Sequence, residues 1–207
     1  EITNIVTKGG ANTCGSEIVY RIGINAFQAQ VRELNPKTKL FEEKLSVAMD
    51  EAIPEQFSKL SKRSGIRHRV AMAEGVTSHK VVEALNKISV LSGEIRNLPA
   101  EGTLAPDSYE IQSGDDRQTI IVRMQEAQEN FLRNAWDFRA KDLPLENQRQ
   151  ALILASIIEK ETGIAAERGL ISSVFLNRLN RGIPLQTDPS VIYGITLGKY
   201  ILGRGLL

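Results

Sequence analysis

The sequence has few of the residues from which disulfide and metal sites are built. Its single cysteine, Cys14, cannot form an internal disulfide bond, and two histidines, His68 and His79, give no Cys/His metal-ligand pattern. We interpret both histidines as surface or core residues. We therefore predict no metal site.

Long apolar runs and a charge bias are also absent. No stretch reaches the ~18 consecutive apolar residues of a transmembrane helix, and the first residues, Glu-Ile-Thr, have neither an initiator Met nor a signal-peptide layout. We expect a fragment of a longer chain. The 26 basic and 25 acidic residues are interleaved and leave a net charge of +1, so we predict no nucleic-acid partner. The composition, 42% hydrophobic, is typical of a globular protein.

Patterns in the first half predict mixed strands and short helices. Residues 2–6 and 18–22 have β-like patterns, and residues 27–34 and 53–60 have helix-like patterns. A β-like segment at residues 66–72 then leads through a glycine turn into a short amphipathic helix with Thr77 as candidate N-cap. Two prolines and a glycine make residues 98–109 an irregular connector.

The second half has helical periodicity. It predicts four helices, at residues 117–138, 147–162, 166–180 and 188–193. Gly163 is expected to end the second helix, and Asp188 to cap the fourth. The third should bury an apolar face made of Ile171, Val174, Phe175 and Leu179. The chain is thus predicted to be α+β, with regions at 1–66, 67–113 and 114–207.

The second of these helices places one acidic residue among apolar ones. At 100° per residue, Glu161 projects from the face formed by Ile153, Leu154, Ile157 and Ile158. Loss of solvation and the helix C-terminus should both raise its pKa, as a general acid requires. The alternative is an exposed glutamate, or one paired with an arginine such as Arg168.

A block of unusual polar residues surrounds Glu161. It reads Leu-Ala-Ser-Ile-Ile-Glu-Lys-Glu-Thr-Gly (154–163), Glu-Arg (167–168), Ser-Val-Phe-Leu-Asn-Arg-Leu (173–179), Gly182 and Leu-Gln-Thr-Asp-Pro-Ser-Val-Ile-Tyr-Gly (185–194). This block resembles the signature of the MltG/YceG-like endolytic murein transglycosylases. Weaker agreement upstream includes Ala-Glu-Gly-Thr-Leu-Ala-Pro-Asp-Ser-Tyr (100–109).

The resemblance implies a bacterial enzyme with a LysM-like subdomain at residues 67–113 and a lysozyme-like catalytic subdomain, incomplete here, at residues 114–207. Its substrate would be the glycan strands of peptidoglycan, and peptidoglycan synthases would be candidate partners. The implied location is the inner membrane, through an N-terminal anchor absent from this chain, with this portion in the periplasm. No metal or organic cofactor is implied.

The resemblance also implies a mechanism with one carboxyl group. Protonated Glu161 would donate to the oxygen between N-acetylmuramic acid and N-acetylglucosamine, and the muramyl C6 hydroxyl would close the ring to a 1,6-anhydromuramyl end. The same carboxylate would take the C6 hydroxyl proton. Most glycosidases instead use two carboxylates.

Other polar residues of the block are candidates for binding the sugar, each with an alternative role. Asn177 and Gln186 could bind acetamido or hydroxyl groups, although Asn177 could instead satisfy a backbone group. Asp188 could be an N-cap, and Tyr193 a core residue. Glu159 could orient the substrate or be a salt-bridge partner. Arg178 is expected to have a structural pairing role.

Two further functions compete with the transglycosylase. A non-catalytic peptidoglycan-binding or scaffold protein of the cell-wall synthesis machinery fits the strand-turn-helix unit. Pyridoxal-phosphate chemistry fits poorly, because no phosphate-cradling glycine loop lies near a candidate Schiff-base lysine.

Overall fold

The computed structural model describes residues 15–63 and 65–199. Within them the strands are β1 (Ser16–Ile22), β2 (Phe27–Leu34), β3 (Phe41–Ala48), β4 (Arg67–Met72) and β5 (Ser108–Ile111). The helices are α1 (Glu55–Ser61), α2 (Ser78–Lys87), α3 (Arg117–Asp137), α4 (Gln148–Glu161), α5 (Arg168–Asn180) and α6 (Asp188–Thr196). A 3-10 turn, Ala165–Glu167, precedes α5. The predicted α+β class is confirmed; the β-like stretch 2–6 and Cys14 lie outside the described residues.

The strands form one mixed sheet in the order β3-β2-β1-β4-β5. β1 and β4 run parallel, and the other neighbouring pairs run antiparallel. The central strand β1 is buried from Glu17 to Tyr20. Because side chains alternate between the two faces of a strand, burial of four consecutive residues means that both faces of β1 are covered.

The structure forms strand β2 where the sequence analysis expects a helix at residues 27–34. Phe27, Ala29 and Val31 are buried, and the residues between them are not. This two-residue period is that of a strand. The helix prediction is wrong because Phe27, Val31 and Leu34 also satisfy helical spacing, so the short run fits both periods.

Two strands, β3 and β5, are missing from the sequence-based prediction. The sequence of β3 shows little hydrophobic alternation, and Val47 is its one buried residue. β5 has four residues and lies partly within the expected connector. Both strands form edges of the sheet, where short or charged strands protect against unwanted pairing.

The described chain divides into two compact units. The sheet unit comprises residues 15–76 (without residue 64), 80–98 and 106–123, and the helical unit comprises residues 77–79, 99–105 and 124–199. This division differs from the expected regions 1–66, 67–113 and 114–207. Strands on both sides of residue 66 pair within one sheet, and the first seven residues of α3 belong to the sheet unit.

In the helical unit, residues 99–105 are fixed to two helices. The Gln128 side chain on α3 donates from Nε2 to the Gly102 carbonyl at 2.9 Å. Gly102 has a φ of +79°, and a Cβ at this position would lie 2.7 Å from Cδ2 of Leu152 on α4. Glycine is therefore required both for the left-handed backbone and for the close approach to α4.

Candidate active site

Glu161 is the last residue of α4. The helix begins after Asn147, whose side-chain oxygen accepts the Gln150 backbone N–H at 3.0 Å, as an N-cap residue does. The helix packs against α5 and α6, with Leu154 buried at 6% exposure. These contacts fix the axis of the helix that carries the candidate acid.

The Glu161 side chain is exposed, so the expectation of a carboxyl group withdrawn from water by apolar neighbours is wrong. Leu154 is the buried member of the expected apolar face, whereas Ile153 is 50% exposed. Ile157 and Ile158 are partly exposed. Helical periodicity gives the direction of each side chain, but it does not say whether another element covers that face.

The backbone leaves the helix at Thr162, which is extended with a φ of −146° and a ψ of 137°. The helix ends just before Gly163, as expected, but Gly163 does not have the positive φ typical of a C-terminal glycine. The buried Thr162 hydroxyl donates to Oε2 of Glu167 at 2.7 Å and accepts the Ile164 N–H at 3.0 Å. A side chain, and not a glycine, therefore fixes the end of α4.

Arg168 pairs with Glu159 and not with Glu161. Its Nη2 lies 2.8 Å from Oε2 of Glu159, which confirms the alternative that Glu159 is a salt-bridge partner. Among the described residues, Glu161 forms neither an ion pair nor a side-chain hydrogen bond. The positive charge of Arg168 thus balances the negative charge of Glu159, and the nearby Glu161 carboxylate remains available to bind a ligand.

The loop between α5 and α6 is fixed by Arg178. Its Nη1 donates to the Leu185 carbonyl, and its own carbonyl accepts the Ile183 N–H at 2.9 Å, so the expected pairing role of Arg178 is borne out with backbone groups. Gln186 follows with a φ of +51°. A non-glycine residue in this region stores strain, which occurs preferentially at functional sites.

The remaining candidate residues lie on α5 and α6 with exposed side chains. Asp188 is the first residue of α6, and the capping position belongs to Thr187, so the N-cap prediction for Asp188 is wrong. Tyr193 is 46% exposed, so the core alternative is wrong for this residue. Asn177 is exposed. Exposure leaves all three side chains accessible to a ligand.

Three residues in this unit have roles that were not predicted from the sequence. Thr162 and Glu167 stand in the quoted block, but no spacing rule predicts their hydrogen bond. Glu101 is the third: both carboxylate oxygens lie 3.1 Å from the Ser78 N–H, at the start of α2. Burial raises the pKa of Glu101, although the Ser78 hydrogen bonds act in the opposite direction.

The described part of the chain contains neither a metal-binding cluster nor a membrane-spanning helix. No group of three or more His, Cys, Asp or Glu side chains is placed to hold a metal ion. No helix between residues 15 and 199, residue 64 aside, combines the length and hydrophobicity needed to cross a membrane.

Fold and site together define an α+β protein whose helical unit carries the exposed Glu161 carboxylate at the end of α4. The chain belongs to the YceG-like family, whose family model matches residues 20–204. This confirms the resemblance found in the sequence.

Curated relatives include proteins named endolytic murein transglycosylase. The protein of Bacillus subtilis (strain 168) is 36% identical over 95 residues, which are 46% of this chain and 26% of that protein. The protein of Streptococcus pneumoniae serotype 2 (strain D39 / NCTC 7466) is 34% identical over 94 residues, 45% of this chain and 16% of that protein. The matched part of the chain thus spans about a quarter or less of these relatives' length.

Proposed function

We propose that this chain is the part of an endolytic murein transglycosylase that cleaves peptidoglycan glycan strands, with Glu161 as general acid. The observation that carries the proposal is the exposed carboxylate of Glu161, which has no partner among the described residues and lies between two anchored residues, Glu159 and Thr162. The names of these relatives supply the substrate class. An acid that protonates a polymer must be accessible to it, and Glu161 meets this condition.

The chemistry requires that the carboxyl group be protonated when the glycan binds. A sugar chain lying over Glu161 would exclude water from it, and a carboxyl group without water favours its neutral form. Glu161 then donates its proton to the glycosidic oxygen as the bond to the muramyl C1 breaks. The C6 hydroxyl attacks C1 and returns its proton to the carboxylate, leaving a 1,6-anhydromuramyl end.

The other candidate residues would hold the strand. Asn177, Gln186 and Asp188 offer amide and carboxylate groups to sugar hydroxyl or acetamido groups. The half-exposed ring of Tyr193 offers a stacking surface. Glu159, which is paired with Arg168, would orient the substrate through this ion pair and not act as a second acid.

The same proposal extends to architecture and location. The sheet unit, with its β4–α2 segment, would be the LysM-like, wall-binding part, and the helical unit the lysozyme-like catalytic part. The protein would act at the periplasmic side of the bacterial inner membrane, with peptidoglycan synthases as partners.

The test compares Glu161→Gln with Glu159→Gln, a matched change two residues away on the same helix. Purified protein is incubated with uncrosslinked glycan strands, and the new chain ends are identified by mass spectrometry. We expect wild type to release 1,6-anhydromuramyl ends, Glu161→Gln to lose at least about 100-fold in rate, and Glu159→Gln to lose less than about tenfold.

Three results would contradict the proposal. Reducing muramyl ends would indicate hydrolysis by water. Equal rates for wild type and Glu161→Gln would remove Glu161 as the acid. Binding of glycan strands by wild type without any cleavage would support the scaffold function instead.

A further inference from the structure

The segment that follows α4 holds the helix end on both sides of Glu161. Glu167, the last residue of the 3-10 turn, accepts the hydrogen bond of the Thr162 hydroxyl at 2.7 Å. The next residue, Arg168, pairs with Glu159 at 2.8 Å. Two consecutive residues thus fix the positions two before and one after Glu161.

The two anchors differ in environment. Thr162 is 8% exposed, so its hydroxyl has little access to water and depends on the Glu167 carboxylate. A hydrogen bond to an ionised acceptor is roughly twice as strong as a neutral one. The Glu159 and Arg168 side chains are 33% and 40% exposed, and pairs exposed to that extent contribute little. The Thr162–Glu167 contact is therefore the stronger anchor.

This contact also replaces the usual device for ending a helix. The Thr162 N–H still bonds to the Ile158 carbonyl at 3.3 Å, and the chain then turns with an extended Thr162. Gly163 lacks the left-handed conformation of a C-terminal glycine. Without the Glu167 acceptor, the last turn of α4, which carries Glu161, would fray.

We propose that Glu167 is a positioning residue, which orients the Glu161 carboxyl group through the Thr162 hydroxyl. This inference rests on the proposed function of Glu161. In this role Glu167 acts through Thr162 and does not itself take part in the proton transfer. Its contribution is geometric, because proton transfer requires the acid within hydrogen-bond reach of the glycosidic oxygen, and a misplacement of 1 Å can cost up to about 100-fold in rate.

The activity test uses changes at both ends of the hydrogen bond. Glu167→Ala and Thr162→Val remove it, whereas Glu167→Gln and Thr162→Ser keep an acceptor or a hydroxyl. We expect the first pair to lower kcat roughly 10- to 100-fold with KM changed less than about twofold. The second pair should stay within about threefold of wild type, and Glu129→Ala, at an exposed glutamate of α3, should have no effect.

A double variant and an activity-independent measurement complete the test. Thr162→Val with Glu167→Ala should lose no more than Thr162→Val alone, because the valine already removes the contact with Glu167 together with the acceptor of the Ile164 N–H. Amide hydrogen exchange at Thr162 and Ile164 should accelerate about tenfold or more in Glu167→Ala but not in Glu167→Gln.

The outcomes separate this inference from the proposed function. Wild-type kcat in Glu167→Ala, failure of Glu167→Gln to restore it, or unchanged exchange at Thr162 and Ile164 would each overturn the positioning role. Full activity of Glu161→Gln would overturn the proposed function. The exchange measurement decides whether Glu167 fixes this helix end even in a protein without activity.

Discussion

Large apolar side chains are distributed differently in the sheet unit and the helical unit. In the sheet unit, the residues exposed at 1% or less include Ile18, Val70, Leu85, Ile88 and Ile120. In the helical unit, Met124 is fully buried and Leu154 and Phe175 are each 6% exposed, while the exposed apolar residues include Leu170 at 70%, Val174 at 45%, and Val191 and Ile195 at 54%. Burial of one such side chain stabilises a fold by about 1.5–3 kcal/mol. The hydrophobic core therefore contributes more to the sheet unit.

Polar contacts compensate in part for the sparse core of the helical unit. Gln128 fixes the Gly102 carbonyl, Arg178 fixes the Leu185 carbonyl, and Glu167 fixes the Thr162 hydroxyl. Each bond holds a loop or a helix end, where no regular backbone pairing is available. Such contacts give an exposed site a defined shape without burying it, which a hydrophobic core cannot do.

The largest expected effect tests the difference in core burial. Leu85→Ala in α2 removes a side chain with 0% exposure and should lower the free energy of unfolding by about 2–5 kcal/mol. Leu170→Ala in α5 should change it by less than about 0.5 kcal/mol, since this side chain is mostly in water. Urea unfolding followed by circular dichroism measures both.

If Leu170→Ala lowered the free energy of unfolding as much as Leu85→Ala does, the proposed difference in core burial would be wrong. It would mean that the exposed face of α5 is covered in solution, and that the helical unit has a larger core than its described residues indicate.

The helix bounds could be predicted from the sequence more accurately than the burial of the side chains on those helices. The helices α3 and α4 have long periodic segments, and their observed bounds lie within one residue of the predictions. On α5, Phe175 is buried as expected, but Val174 and Leu179 are exposed at 45% and 36%. Periodicity identifies the apolar face of a helix, but burial depends on which element packs against it.

The candidate site was only partly predictable for a similar reason. Glu161 could be singled out because its type, position and sequence context coincide. The bond from Thr162 to Glu167 depends on the extended backbone at Thr162, for which the sequence offers no rule. The left-handed backbone of Gln186 could not be predicted either, because non-glycine residues adopt this conformation only where tertiary contacts require it.

A smaller effect is expected from glycine changes, one in each unit. Gly102 and Gly114 both have positive φ, +79° and +95°. Gly114→Ala meets open space and should cost only the left-handed backbone, about 1–2 kcal/mol. Gly102→Ala must also displace Leu152, whose Cδ2 would lie 2.7 Å from the new Cβ, so it should cost about 1 kcal/mol more.

Urea unfolding of the two glycine variants gives the comparison. Since Trp136 is the single tryptophan of the chain and lies in the helical unit, its fluorescence should follow the change at Gly102. Equal costs at the two positions would mean that Leu152 moves freely, and the connector would then not be tightly packed on α4.

The smallest expected effect is a pH dependence in the sheet unit. His68 is 4% exposed and stacks on Tyr20, with ring centroids 6.2 Å apart. Burial lowers the pKa of His68, because an imidazolium loses solvation there. Below its ordinary pKa of about 6.5 the unfolded chain binds the proton more readily. The stability associated with neutral His68 is thus fully present above that pH and is lost as the pH falls towards the folded value.

His68→Phe keeps an aromatic ring against Tyr20 but cannot titrate, so it should remove this contribution. We expect the unfolding free energy of wild type, measured in urea, to fall relative to that of His68→Phe as the pH is lowered from about 7.5 to about 5.5. Parallel curves for wild type and His68→Phe would mean that water reaches the His68 ring, and the burial that distinguishes the sheet unit would then be incomplete at β4.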